Sequence, residues 1–110
     1  MISEELLNAV IGAPAYEITE YANQVSYQLA LTEDFPENGV KINTHELAHE
    51  CKKWAYANDY FIESLYGKNI DTPNSCRAVV FNGNDELERA YGATEPEAIF
   101  LACQWVLDQK

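Results

Sequence analysis

The chain has 110 residues, the size of one ordinary domain with a single core, and 47% are apolar, with 7 Tyr, 4 Phe and 2 Trp, which excludes a disordered acidic tail. Eighteen Asp and Glu against seven Lys and Arg give a formal net charge of −11, a field that repels nucleic acid and anionic membrane and favours basic protein surfaces. Three widely spaced cysteines, Cys51, Cys76 and Cys103, make neither a disulfide framework nor a metal knuckle and read as buried reduced thiols.

Ser3 before Glu4 and Glu5 predicts a helix start, with Leu6, Leu7, Val10 and Ile11 on one face and Gly12 and Pro14 at its end. Two period-two runs follow, Tyr16 to Ala22 and Val25 to Thr32, joined at Asn23-Gln24 as an antiparallel hairpin. Glu33 to Gly39 reads as an acidic loop. Asn43 then caps a helix running to about Ala57, with Glu46 completing a capping box and Ile42 and Leu47 a hydrophobic staple. Its predicted buried face is Leu47, Ala48, Cys51, Trp54 and Ala55. Strands are predicted over Tyr60–Tyr66, Ser75–Phe81 and Glu86–Tyr91, the last weakly alternating and so at an edge. Thr94-Glu-Pro-Glu97 is a second capping box and opens a well-buried final helix.

These elements predict an α+β fold in the order α-β-β-α-β-β-β-α, one antiparallel sheet with helices packed on it. Residues 1–110 form a single domain, with a helix and hairpin in 1–41 and a helix–three-strand–helix unit in 42–110. The longest nearly uncharged apolar stretch, Ala98 to Leu107, is about half of what a bilayer requires. Met1-Ile-Ser-Glu-Glu5 lacks the basic start and apolar run of a signal peptide. A cytoplasmic location is the expectation.

His45-Glu-Leu-Ala-His49 matches the H-E-x-x-H pattern, in which two histidines one helical turn apart hold zinc and the glutamate is the general base. Here the helix stripe centres near Cys51, and at about 100° per residue the two histidines fall about 140° away, on the wet face. Glu46 already has a capping role, and His45 and His49 are the only histidines in the chain, so no third imidazole exists. The reading is a solvated helix face, with no metal and no cofactor; a small zinc hydrolase using His45 and His49 is the enzymatic alternative. No serine sits in a nucleophile elbow, and five scattered glycines make no phosphate loop. Glu86 and Glu88 are spaced to line one face of a strand.

Ile42-Asn-Thr-His-Glu-Leu-Ala-His-Glu-Cys-Lys-Lys-Trp-Ala55 and Thr94-Glu-Pro-Glu-Ala-Ile-Phe-Leu-Ala-Cys-Gln-Trp-Val-Leu107 resemble small phage and prophage proteins of unknown function. Those proteins have a helix, a three-stranded antiparallel sheet and a closing helix, a layout like the phage ABA-sandwich type. The likeness covers residues 42–110 and rests on core and cap residues, so it transfers no site residues. It implies a phage accessory protein that inhibits host machinery by stoichiometric binding, an anti-CRISPR protein or nuclease inhibitor being examples. The expected partner is a host protein with a basic nucleic-acid-binding surface, met by Glu33, Asp34 and Glu37 or by Glu86 and Glu88, and the chain itself binds neither nucleic acid nor membrane. An oligomerising adaptor, homodimeric through a sheet edge, is the alternative to the charge mimic.

Overall fold

The structure is a computed structural model and describes residues 1–29, 39–66 and 76–110. Ser3 caps α1 (Glu4–Ile11), its Oγ accepting from the Leu6 N–H at 3.1 Å. Gly12 ends the helix in the left-handed conformation, at φ 71°, and donates its N–H to the Asn8 carbonyl. The Asn8 Oδ1 accepts from the Ala15 N–H at 2.7 Å, which ties the end of α1 to the start of β1 (Ala15–Tyr21). β1 pairs antiparallel with β2 (Gln24–Leu29), and a bulge between Tyr16 and Thr19 places Glu17 at φ 51°.

Sequence patterning predicts only a hairpin here, but β2 also pairs with β3 (Gly39–Asn43), giving a three-stranded sheet ordered β1-β2-β3. The division expected at residue 41/42 therefore falls inside a strand. Two apolar residues, Val40 and Ile42, carry the whole alternation of β3, and the helix-start signal that follows overlaps it. Asn43 is at once the last residue of β3, opposite Gln24, and the N-cap of α2 (Thr44–Ala57). Its Oδ1 accepts from the N–H of His45 at 2.8 Å and of Glu46 at 3.4 Å. Among the described residues there is no return bond from the Glu46 carboxylate, so the box is half formed. The Thr44 N–H instead reaches the Asn23 carbonyl in the hairpin turn, at 2.7 Å.

α2 closes with two reversed bonds, Tyr60 N–H to Ala55 carbonyl and Asp59 N–H to Tyr56 carbonyl, with Asp59 at φ 72°. β4 (Phe61–Tyr66), β5 (Cys76–Asn82) and β6 (Asp85–Gly92) then form a second antiparallel sheet in that order, with β6 at an edge as patterning predicts. Thr94 caps α3 (Glu95–Asp108), and the Glu97 carboxylate accepts from the N–H of Ala93, one residue before the cap. The fold is thus α+β in the order α-β-β-β-α-β-β-β-α, with two three-stranded antiparallel sheets where one sheet is predicted.

Helices α2 and α3 pack on each other and on the second sheet, and α1 touches α2, α3 and β1. One apolar cluster joins Leu6 and Leu7 of α1, Val25 and Tyr27 of β2, Leu47 and Cys51 of α2, Ala78 and Val80 of β5, and Ala98, Ala102 and Cys103 of α3. Trp54, predicted on the buried face of α2, is half-buried and lies under the Lys110 ammonium, 5.7 Å from its ring centre. Gly92 permits the tightest approach: a Cβ there would lie 2.8 Å from the Ala98 nitrogen and 3.0 Å from the Glu97 Cβ.

Gly92→Ala should therefore lower unfolding free energy by about 1–3 kcal/mol in urea melts, because backbone rather than a movable side chain blocks the methyl group. Asp59→Gly should raise it by about 1 kcal/mol, since glycine relieves the left-handed strain and removes an acid from a helix C-terminus.

Candidate functional site

His45 and His49 are both exposed on α2, as the helix geometry predicts. Among the described residues no group of three or more His, Cys, Asp or Glu is placed to hold a metal ion. Glu33, Asp34 and Glu37 lie outside the described residues. Glu86 and Glu88, expected on one face, are separated by an extra residue: Glu86 is opposite Phe81, Glu88 is opposite Val80, and Leu87 is the bulge between. Phe81 and Val80 face opposite sides of the sheet, so the two carboxylates do as well. Glu86 accepts from the Arg89 Nε at 2.7 Å, while Glu88 bends back to accept from the Arg89 N–H at 2.9 Å.

The fold assembles a different acidic face. Glu4 and Glu5 project from the first turn of α1. Glu20 of β1 lies 3.8 Å from the Met1 amino nitrogen at the start of the same helix. Ser3 donates to the Gln104 Oε1 of α3, and the Gln104 Nε2 donates to Asp108 at 3.0 Å. Met1, Ser3 and Gln104 line a small cleft with Glu97, Phe100 and Leu101. Glu4, Glu5, Glu20, Glu97 and Asp108, from three elements, thus surround one region. Of the described cations the Met1 amino group lies in this region, against Glu20, and the side-chain cations lie elsewhere: Lys41 on β3, Lys52 against Ser64, Lys53 against Glu50, Arg77 and Arg89 on the second sheet, and Lys110 over Trp54. None of the described carboxylates is buried.

A second surface is the side of β4–β5–β6 turned away from the helices. Strand register places Phe61, Glu63 and Leu65, then Arg77, Val79 and Phe81, then Glu86, Arg89 and Tyr91 on it. Phe61, Leu65 and Tyr91 are 54%, 41% and 49% exposed, and the Phe61 and Phe81 rings lie 6.5 Å apart. Val79 is only 4% exposed yet lies outside the main core cluster, so its neighbours on this face cover it. The alternation of β4 and the apolar run Ala78–Phe81 carry this surface, but both read equally well as strands buried on each side.

Two polar clusters do structural work. The Lys52 Nζ donates to the Ser64 Oγ at 2.6 Å, and that hydroxyl donates to Glu95 at 2.7 Å, linking α2, β4 and the first turn of α3. A carboxylate within reach of a serine is the geometry of a general base, but the ammonium on the same oxygen makes this a compensated tie between layers. The Cys103 Sγ donates to the Cys51 carbonyl at 3.6 Å. Burial pushes both thiols up, Cys103 to about 12, which suppresses the reactive thiolates. Among the described residues no helix is long and apolar enough to cross a membrane.

No family model, curated protein or solved structure matches this chain.

With two solvated imidazoles and, among the described residues, no third ligand beside them, zinc in several-fold excess should leave the Tm unchanged. His49→Ala should behave like the parent in the same titration. Stoichiometric zinc retained through gel filtration by untagged protein would contradict this.

Proposed function

We propose that the chain acts by stoichiometric binding of another protein, meeting a basic surface of that partner with the acidic face built by α1, β1 and α3. The observation that supports this reading is the gathering of Glu4, Glu5, Glu20, Glu97 and Asp108 around one region, with the described Lys and Arg side chains on other parts of the molecule. Glu20 is paired with the Met1 amino group, but none of the described Lys or Arg side chains forms an ion pair with Glu4, Glu5, Glu97 or Asp108, so their field extends outward and steers a cationic surface toward them. The net charge of −11 reinforces the steering from every side of the molecule.

In its specific form, the partner is a host protein whose basic surface handles nucleic acid, and the chain occupies that surface in place of the polyanion. This is the logic of a phage-encoded inhibitor, of a CRISPR effector or a nuclease. The fold offers such a role a rigid platform: the acids sit on helices and a strand rather than on a separate tail, so little ordering entropy opposes binding.

Affinity capture from bacterial lysate tests the reading, comparing the parent chain with Glu5→Lys/Glu20→Lys/Asp108→Lys and with a control, Glu50→Lys/Asp85→Lys, reversed elsewhere. The parent and the control should retain the same basic, nucleic-acid-handling protein in about 50 mM salt and lose it in about 300 mM, as screening shortens the field. The triple variant should bind it at least about tenfold more weakly. Retention indifferent to salt, or weakened as much by the control as by the triple variant, would refute the assignment.

A further inference from the structure

We infer that the solvent side of the second sheet is a homodimer interface, with a second copy of this chain as its occupant. This goes beyond the acidic-face reading and does not depend on it.

The first observation is apolar surface in one place. Phe61, Leu65 and Tyr91 are large side chains about half exposed on a single sheet face, Phe61 beside Phe81 in one row and Leu65 and Tyr91 two rows away, with Glu63, the already dry Val79 and Arg89 between. Contiguous patches of this kind mark interfaces, and a core of aromatic residues with arginine is the composition found at interface centres. Strands of six to eight residues, at about 3.3 Å per residue and about 4.8 Å apart, give with side-chain reach a footprint of about 400 Å² on each copy. Because the ridged face exposes more area than its footprint, the pair buries about 1,000 Å² in total, where specific interfaces begin.

The second observation is charge, and it selects the occupant. Among the described residues this face carries both arginines of the chain, Arg77 and Arg89, with two carboxylates, Glu63 and Glu86, so its described charges cancel. The remainder of the chain carries sixteen acids and five lysines, the whole of the −11. A polyanion is repelled by that remainder, and a strongly basic partner gains nothing from a face whose described charges cancel. A second −11 body meets least repulsion where both copies are neutral.

The pattern is also self-complementary. One row across the sheet reads Glu63, Val79, Arg89, with the acid on β4 and the arginine on β6. A two-fold axis along β5, in the plane between two stacked faces, lays β4 of one copy over β6 of the other. Glu63 then faces the Arg89 of the second copy, twice, on either side of the covered Val79. The row on one side places Phe81 against Phe81 and Phe61 over Glu86, and the row on the other side places Leu65 over Tyr91. Two Arg77 side chains meet near the axis, the one like-charged contact of the arrangement.

Sedimentation equilibrium over a concentration range reaching about 100 μM tests this. The parent should run as two 12.4 kDa chains. Phe61→Ser/Tyr91→Ser, at exposed positions, should be monomeric with an unchanged circular dichroism spectrum. Glu63→Arg and Arg89→Glu should each weaken the dimer at least about tenfold, and Glu63→Arg/Arg89→Glu together should recover it, because the swap restores both pairs. A parent chain monomeric at the highest concentration overturns the inference. So does a dimer indifferent to Phe61→Ser/Tyr91→Ser, or a double swap no tighter than either single variant.

Discussion

Gly92 lets the backbone at the end of β6 come within a side chain's width of the first turn of α3, and the seating of that helix follows from the contact. Ala98, Ala102 and Cys103 continue the approach along α3, all fully buried and all small, so the helix axis lies close to the sheet over its length. From that seat α3 meets α2, with Cys103 against the Cys51 carbonyl, and α1, through Gln104 and Ser3. The first sheet is joined more lightly, by Asn43 passing directly from β3 into α2 and by the bond from Thr44 to the hairpin turn. Displacing α3 outward would therefore loosen the core and also part the acids of α3 from those of α1 and β1.

The two candidate surfaces divide the electrostatic character of the molecule between them. The acids around the start of α1 outnumber the one described cation among them, the Met1 amino group, while the arginines alternate with acids and aromatic rings on the second sheet. Such a division allows one surface to act at a distance through its field and the other only on contact, through exclusion of water.

Much of the local structure was legible because it rests on short-range chemistry. Ser3, Asn43 and Thr94 cap the helices they were expected to cap, and the apolar stripe of α2 left His45 and His49 in water. The features that escaped depend on partners distant in sequence. β3 is a strand because β2 offers it an edge, and two alternating residues could not announce that. Val79 and Phe81 read as interior residues since nothing in a run of apolar side chains says that helices cover only one side of the sheet. Glu20 and Asp108, eighty-eight residues apart in the chain, are tied to the same N-terminal segment only through the fold, Glu20 at Met1 and Asp108 by way of Gln104 and Ser3. The regular spacing of Glu86 and Glu88 suggested a shared face, and a single inserted residue undid it.

That inserted residue, Leu87, has a wider consequence. A regular outer strand presents an evenly spaced row of free backbone groups, on which a strand from another molecule can template itself without limit. The kink in β6 breaks the spacing near its start, and Asp85, Glu86, Glu88 and Arg89 crowd the margin with charge. Growth into a fibre along that margin is discouraged, whereas β4, the outer strand on the opposite side, keeps an unbroken register.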